Sequence, residues 1–362
     1  MMAASCQYGF STTTMRTAKN RTGSSMKLCL HALVPAALAA SPAFAASPDY
    51  TLSQTIALGA PDRWDYAVFD PVDARLYVAH GDRLSVVASR TGAIVGTVEG
   101  IAGGTHGTAI SHATGQGFTD DGRAGTAVAF DLATLKVTHT IKADDDADAI
   151  ALDPRTGHVF VVEGDPGAMT VIDPRTDQAV ATIKASEKME YAVAGDGVVY
   201  AAGEANSDLI RIDTRTNQVT AHWPTPDCKS PHGLAFDPVH KRLFMGCVNA
   251  VMMVVDAANG RLIAELPIGR GNDAMAYDPS HRRVFSSNGI DGTVSVYQQV
   301  SADIYRPLAT IQTKISGRTM AVDPHSGRLF VIAADTDPAA TPGGRPKPRP
   351  GTLSVLVFDP AA

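Results

Sequence analysis

The strongest constraint on the fold of this 362-residue chain is a recurring Asp-Pro dipeptide that follows a short apolar segment. The dipeptide begins at Asp70, Asp153, Asp237, Asp278 and Asp323. Successive copies are 83, 84, 41 and 45 residues apart, and each of the two long gaps contains a diverged copy, at Ser111 and at Gly195. The chain therefore consists of seven units with a period near 42 residues.

Each unit has the composition of four short strands. Asp-Pro fits a tight turn, because the Asp side chain accepts backbone N–H bonds and Pro fixes φ at the next position. A period near 42 is typical of a four-stranded propeller blade. The sequence thus predicts an all-β fold, a seven-bladed β-propeller with four antiparallel strands per blade. Two stacked sandwich domains are the alternative, which the regular period disfavours.

The two ends of the repeat region are out of phase. The repeat region opens at Tyr50 with a fourth-strand sequence and closes at Leu353–Asp359 with a third strand. The N-terminal strand is therefore predicted to complete the last blade and to close the ring, which leaves no open sheet edge at the junction.

Residues 1–45 form a predicted signal peptide. They contain four basic side chains and no acidic one, an apolar run from Leu28 to Leu38, and an Ala-x-Ala cleavage site ending at Ala45. Translation from Met26 would give a signal of conventional length. Removal of the leader leaves one domain, 46–362, with 27 basic and 37 acidic side chains, so the net charge is −10 rather than −6. The sequence predicts a periplasmic or secreted protein without a transmembrane segment in the mature chain.

The mature chain keeps two cysteines, Cys228 and Cys247. Cys228 precedes the inner strand of the fifth unit, and Cys247 ends the adjacent strand on the same face. Export places both cysteines in an oxidising compartment. We predict a disulfide between them. The alternative is that Cys247 is a soft metal ligand beside His232.

The second-strand segments resemble a known repeat. Leu76-Tyr77-Val78-Ala79-His80 and Val159-Phe160-Val161-Val162-Glu163 are similar to YVTN repeats, with Asp-Pro before them and Val-x-Asp segments after them. The chain thus resembles the YVTN-repeat, YncE-like exported β-propellers over about residues 50 to 360. The resemblance implies the propeller fold, and it leaves function open because such propellers include surface, binding and enzymatic members.

The repeat alignment places one ionisable residue of each blade at the mouth of the innermost strand. Five residues before each turn position stand Asp65, His106, Asp148, Glu190, His232, Asp273 and Arg318. The second strands end on the same face, at positions that include His80, Asp121 and Glu163. Together these ten residues predict an acid-rich funnel, and the acidic run 144–148 adds charge beside it.

His and carboxylate side chains are ligands for divalent transition metals, so His106 and His232 are the candidate metal ligands and a divalent metal is the one candidate cofactor. Without a metal, the acidic funnel favours a small cationic ligand or a protein partner. A solvated channel whose charges bind nothing specific is the third interpretation.

Two functions follow. The first is an exported, non-catalytic binding or scaffold propeller, monomeric, with a small ligand or protein partner at the funnel face. The second is a hydrolase or lactonase in which Glu190 or His232 is the base and Arg318 the electrophilic stabiliser. The net charge of −10 disfavours nucleic acid as a partner.

The last unit contains a Pro/Gly-rich insertion at 337–351, with three basic residues. It predicts an extended irregular loop on the funnel face beside Arg318. A tolerated surface insertion and a lid or partner-docking loop are the two interpretations.

Overall fold

The computed structural model describes residues 49–338 and 346–361. Within them the chain is an all-β, seven-bladed propeller, and the prediction of the fold class is confirmed. The predicted signal peptide and Met26 start lie outside the described residues. Among the residues described, no helix has both the length and the apolar character needed to cross a bilayer.

Strand β1 spans Tyr50–Ala57, and the blades follow it in chain order. Blade 1 contains β2 (Ala67–Asp70), β3 (Arg75–His80), β4 (Arg83–Ala88) and β5 (Ile94–Val98). Blade 2 contains β6 (Thr108–Ser111), β7 (Gln116–Asp121), β8 (Thr126–Asp131) and β9 (Val137–Lys142), with a 3-10 helix at Gly122–Ala124. Blade 3 contains β10 (Ala147–Leu152), β11 (Val159–Glu163), β12 (Ala168–Asp173) and β13 (Gln178–Lys184).

The next three blades have the same order. Blade 4 contains β14 (Met189–Gly195), β15 (Val198–Gly203), β16 (Asp208–Asp213) and β17 (Gln218–Pro224). Blade 5 contains β18 (Pro231–Asp237), β19 (Arg242–Cys247), β20 (Val251–Asp256) and β21 (Leu262–Pro267). Blade 6 contains β22 (Asn272–Asp278), β23 (Arg283–Asn288), β24 (Thr293–Ser301), β25 (Ile304–Pro307) and β26 (Ile311–Gln312).

Blade 7 is completed by the other end of the chain, as predicted. It contains β27 (Thr319–Val322), β28 (Leu329–Ala333) and β31 (Ser354–Pro360), and β1 forms its outermost strand. β1 pairs with β31 in antiparallel register from Tyr50 opposite Pro360 to Ala57 opposite Ser354. This pairing gives the third strand of the blade an outer neighbour, which protects its edge from other chains.

The Asp-Pro turns form as the sequence predicts. In all five copies the first carboxylate oxygen accepts a hydrogen bond from the backbone N–H two residues later, at 2.9–3.2 Å. The Asp side chain therefore closes the turn that Pro begins. These turns lie on the face opposite the funnel.

The hydrophobic core is divided among the blade interfaces. Seven clusters of buried apolar side chains each join two consecutive blades, and the cluster of blades 7 and 1 completes the circle. The second strand of each blade contributes one buried aromatic ring at an equivalent position: Tyr77, Phe118, Phe160, Tyr200, Phe244, Phe285 and Phe330. Burial of these large rings stabilises the blade-to-blade packing that fixes the axis.

The insertion of the last blade is less irregular than the sequence predicts. Its base forms a short ladder in which β29 (Thr336–Asp337) pairs with β30 (Lys347–Pro348). The backbone N–H of Gly351 donates to the Asp62 carboxylate at 2.7 Å, so the base is attached to the segment that enters blade 1. Residues 339–345 lie outside the described residues.

Cys228 and Cys247 form a disulfide, as predicted, with their Cα atoms 5.3 Å apart. The sulfur of Cys247 is thereby committed to the bond, so the alternative of a metal-ligating thiolate is wrong. The bond joins the segment before β18 to the end of β19 and thus holds the funnel end of blade 5.

We predict that replacing both cysteines, in a Cys228→Ala, Cys247→Ala variant, lowers the free energy of unfolding by about 3 kcal/mol, because the bond closes a loop of sequence separation 19 in the unfolded chain. Chemical denaturation of the mature protein measures this difference. Reductant should destabilise the wild type and leave the double variant unchanged. Equal stability of the two proteins would contradict the prediction.

Candidate functional site

Five of the seven predicted ring residues form a continuous chain of ionic contacts around the axis. His232 Nδ1 lies 3.3 Å from Glu190 on one side and 3.3 Å from Asp273 on the other. Arg318 continues the chain, with guanidinium nitrogens 3.3 Å from Asp273 and 3.8 Å from Asp65. Blades 4, 5, 6, 7 and 1 each contribute one member, so the repeat alignment correctly predicts that these side chains meet.

His106, the ring residue of blade 2, is paired with a residue that the alignment does not select. Its Nδ1 lies 2.6 Å from Asp120 Oδ2, and the backbone N–H groups of His106 and Gly107 donate to the same carboxylate. Asp120 lies one position before the end of β7. The equivalent positions of the other blades hold small or apolar residues, Ala79, Val162, Ala202, Gly246, Ser287 and Ile332. A lone carboxylate in that column is the sequence signal that identifies Asp120.

Two tyrosines close the axis directly beneath the ring. Tyr66 of blade 1 and Tyr191 of blade 4 follow ring residues in sequence, and their ring centroids lie 4.5 Å apart. Blades 1 and 4 are not neighbours, so this contact crosses the axis. Tyr66 is almost fully buried. The charged ring is therefore the floor of a funnel at this level of the axis.

Burial changes the charge of two ring carboxyls. Burial raises the pKa of Asp65 to about 7, although the Arg318 guanidinium opposes the shift. Burial also raises the pKa of Asp148 well above its usual range, and the neighbouring Asp65 adds to the effect. Desolvation disfavours the ionised form of a carboxyl in both cases. These two groups consequently carry less negative charge than the sequence suggests.

The two ring histidines shift in the opposite sense. Burial lowers the pKa of His232, but hydrogen bonds that the imidazole donates to Asp273 and Glu190 outweigh this effect and raise the pKa to about 10. Burial likewise lowers the pKa of His106, and Asp120 raises it to about 9. Both imidazoles are cations at neutral pH. With Arg318 they balance Glu190, Asp273 and Asp120, so the expected acid-rich funnel is a neutralised network of ion pairs at its floor.

The three predicted funnel residues at the ends of second strands lie inside the blades. His80 is buried and hydrogen-bonded to Ser85 Oγ at 2.8 Å and to the Pro61 carbonyl at 2.7 Å. Glu163 is fully buried and accepts hydrogen bonds from Thr170 and the backbone of Asp144. Asp121 is also buried. Alternation along a strand turns these last residues into the blade, whereas the preceding position approaches the ring.

The structure brings His232, and not His106, into a group with the spacing of metal ligands. Ligand atoms of Glu190, His232 and Asp273 all lie within 4.8 Å of one another. His106 belongs to another blade and is held by Asp120. The three residues of the catalytic alternative, Glu190, His232 and Arg318, belong to the same chain of ionic contacts. Asp273 lies between His232 and Arg318 in that chain.

A cavity of about 540 Å³ opens at the funnel face over blades 1–3. Three basic side chains border it, Arg63, Arg123 and the ring residue His106, and two acidic ones, Asp145 and Asp146. A second cavity of about 260 Å³ shares Arg63 and Arg123. Asp145 and Asp146 belong to the acidic run that the sequence singles out, whereas neither arginine is predicted. Arg63 stands in a loop and Arg123 in the short 3-10 helix, where strand periodicity gives no orientation.

The opposite charges of the larger cavity do not touch. Within the described residues none of Arg63, Arg123, Asp145 and Asp146 forms a side-chain ion pair. Arg123 donates its Nε–H to the Gly103 carbonyl at 2.8 Å, which fixes the guanidinium at the rim. The cavity therefore offers positive and negative groups that do not neutralise one another.

No protein-family model matches the chain, and no curated protein matches it. Solved structures do match. The WD40 repeats of RRP9 cover 85% of this chain and 97% of that one at 11% identity, with a TM-score of 0.72. The fold is that of a WD40-like β-propeller.

Two further solved structures extend the comparison. A chain of the mitotic checkpoint complex matches 95% of this chain and 99% of its own length, at 13% identity and a TM-score of 0.70. A chain of hydrazine synthase from Kuenenia stuttgartiensis matches 75% and 92%, at 16% identity and 0.65. Identities this low show the fold alone, which here occurs both in an enzyme and in a protein complex.

The histidine pKa values predict a pH dependence of stability. Both are raised above the unfolded value near 6.5, so their stabilisation is complete below about pH 6.5 and is lost as pH rises through 9 to 10. We expect the free energy of unfolding to fall between pH 7 and 9, on the order of 1 kcal/mol per pH unit for each histidine. Chemical denaturation at a series of pH values measures this slope.

A His232→Gln variant should show a shallower slope because it lacks one of the two groups. His325→Gln is the matched control, since His325 is exposed on the opposite face. It should reproduce the wild-type slope. A wild-type stability that is flat or rises over this range would contradict the ring charges described above.

Proposed function

We propose that the protein is an exported, non-catalytic binding propeller of the YVTN-repeat, YncE-like type, which takes a small polar ligand at its funnel face. The ligand site is the cavity over blades 1–3. The proposed ligand carries both an acidic and a basic group. Short peptides with free termini are the chemical class that fits this description.

The observation that carries the proposal is the set of unpaired charges around that cavity. Arg63 and Arg123 lie on its wall, while Asp145 and Asp146 supply negative charge. His106 also borders the cavity, but its imidazole is paired with Asp120. Opposite charges that line one space without contacting each other suit a ligand that bridges them. A carboxylate would bind the guanidinium groups in bidentate fashion, and an ammonium group would bind the aspartates.

The neutralised ring explains why the ligand class differs from the cationic ligand that the sequence suggests. Glu190 and Asp273 already contact His232, and Arg318 already contacts Asp65 and Asp273. Charges that satisfy one another exert little net attraction on an added cation. The unpaired groups at the rim therefore determine which ligand binds, and the ring residues hold the inner strands together beneath the cavity.

The enzymatic alternative has weaker support. A general base must be unprotonated at the working pH, and His232, with a pKa raised to about 10, is a cation at neutral pH. Arg318 donates to the Trp64 carbonyl at 2.6 Å in addition to its ion pairs, so its guanidinium is committed to the fold. Neither cavity described above is bordered by Glu190, His232 or Arg318.

Export is the second part of the proposal. The basic leader with its cleavage site at Ala45 and the disulfide Cys228–Cys247 both support a periplasmic or secreted location. The mature chain is proposed to be a monomer. Propellers of similar fold occur in protein assemblies, so a protein partner is proposed for the same face, with the peptide-like chemistry of the cavity as its point of attachment.

Thermal unfolding of the mature protein, residues 46–362 with the disulfide intact, tests the ligand class. The probes are a mixture of tripeptides with free termini, the same mixture N-acetylated, and the same mixture C-amidated. We expect the free mixture to raise Tm and both blocked mixtures to lose most of the effect. An Arg123→Ala variant should weaken binding by at least about tenfold, since a charge-assisted hydrogen bond contributes about 1.5–3 kcal/mol.

Arg90→Ala is the matched control, because Arg90 is an exposed arginine in the β4–β5 turn on the opposite face. It should bind as the wild type does. A Tm that none of the three mixtures raises would contradict the proposed ligand, and so would equal binding by the free and the blocked peptides.

A further inference from the structure

A second group of titratable side chains lies at the outer rim of blade 4, away from the funnel axis. Glu187 precedes β14, Asp208 begins β16, and His222 lies near the end of β17. All three chain positions are at the funnel-side ends of their strands. Strand register brings them together, because Asp208 pairs with Pro224 and His222 pairs with Ile210 in the same ladder.

The distances are those of a ligand set. His222 Nδ1 lies 2.9 Å from Asp208 Oδ2 and 3.4 Å from Glu187 Oε1. One ligand atom from each of the three residues lies within 4.8 Å of the other two. A single ion placed among them would therefore be in reach of two carboxylates and one imidazole.

Two buried oxygens of this group accept no hydrogen bond within the described residues, and one of them is the Glu187 oxygen in the 3.4 Å ionic contact with His222. Glu187 is 8% exposed and Asp208 is 5% exposed, and the oxygens are Glu187 Oε1 and Asp208 Oδ1. A buried carboxylate oxygen without a partner costs free energy. No lysine or arginine of the described residues pairs with either side chain. The group thus brings two buried carboxylates together without a lysine or arginine to neutralise them.

Gly203 makes room for this arrangement. A Cβ at position 203 would lie 2.1 Å from Asp208 Oδ1 and 2.9 Å from the carboxylate carbon and an oxygen of Glu187. The equivalent second-strand ends of the other blades carry side chains: His80, Asp121, Glu163, Cys247, Asn288 and Ala333. Blade 4 alone among the seven therefore leaves space at this position, and the two carboxylates occupy its edge.

We propose that Glu187, Asp208 and His222 bind a divalent transition-metal ion, with zinc as the best fit. Two carboxylates and one imidazole are ligands that zinc accepts in sites with three protein ligands and one open position. A dication would neutralise the two carboxylates and satisfy both unpartnered oxygens. The side chain of His222 is 42% exposed, so the site is open to solvent on this side. The ion would enter there, and a water molecule would complete its coordination shell.

The ring group of Glu190, His232 and Asp273 is a poorer metal site. The Arg318 guanidinium lies 3.3 Å from Asp273, and its positive charge repels a dication. The two carboxylates of the ring group, Glu190 and Asp273, are 18% and 15% exposed. The rim group has no lysine or arginine in contact within the described residues, and its two carboxylates are more deeply buried, so the two groups make distinguishable predictions.

Zinc titration of the mature protein, stripped with chelator and with its disulfide intact, tests the proposal. Isothermal titration calorimetry and elemental analysis should give one bound zinc per chain. His222→Gln and Asp208→Asn should each weaken zinc binding by at least about tenfold, since even outer-shell changes cost 10- to 100-fold. His222 is exposed, so its substitution leaves the fold intact.

His139→Gln is the matched control. His139 is also on a fourth strand and contacts one carboxylate, Asp177, at 3.1 Å, so its loss should leave zinc affinity unchanged. Absence of stoichiometric zinc binding would overturn the proposal and leave the two carboxylates sharing a proton. Binding that survives His222→Gln and is lost in His232→Gln would also overturn it, by placing the metal on the funnel ring.

Discussion

Convergence of seven inner strands on one axis is the constraint on which the rest of the structure depends. It requires a closed ring, and the pairing of β1 with β31 provides the closure. It also forces side chains at equivalent positions to meet, whatever their charge. All seven of these side chains are ionisable. The structure accommodates them by alternating Glu190, His232, Asp273 and Arg318 in sign and by raising the pKa of Asp65 to about 7.

The ion pairs of the ring stabilise the fold, and they lie apart from the proposed ligand site at the funnel rim. The ring charges and the tyrosines beneath them form a nearly neutral floor in which ion pairs join blades 4 to 7 and blade 1. The proposed ligand site lies at the rim, where Arg63, Arg123, Asp145 and Asp146 have no ionic partner within the described residues. The blade 4 rim follows the same principle, since the space above Gly203 leaves carboxylate oxygens unsatisfied.

Periodicity made the fold and the ring positions predictable. The Asp-Pro turn recurs because each blade repeats one local solution, so alignment of copies such as Asp70 and Asp237 locates every blade without tertiary information. Asp120 was missed because its column is apolar in other blades, and His80 was misplaced because strand alternation turns it inward. The charge state of the ring depends on burial and on neighbours from other blades, which no single repeat encodes. Residues outside the strands, such as Arg123 in the 3-10 helix, have no periodic orientation that the sequence could predict.

The protonation of His232 and His106 in the folded protein is the most direct test of this account. Nitrogen-15 NMR of the imidazoles, recorded as pH is raised, reports each proton at its own ring nitrogen. The account predicts that both rings remain doubly protonated at pH 8 and that His232 titrates at the higher pH. Neutral imidazoles at pH 7.5, titrating near the unperturbed value of about 6.5, would contradict it, because the ring would then carry a net negative charge.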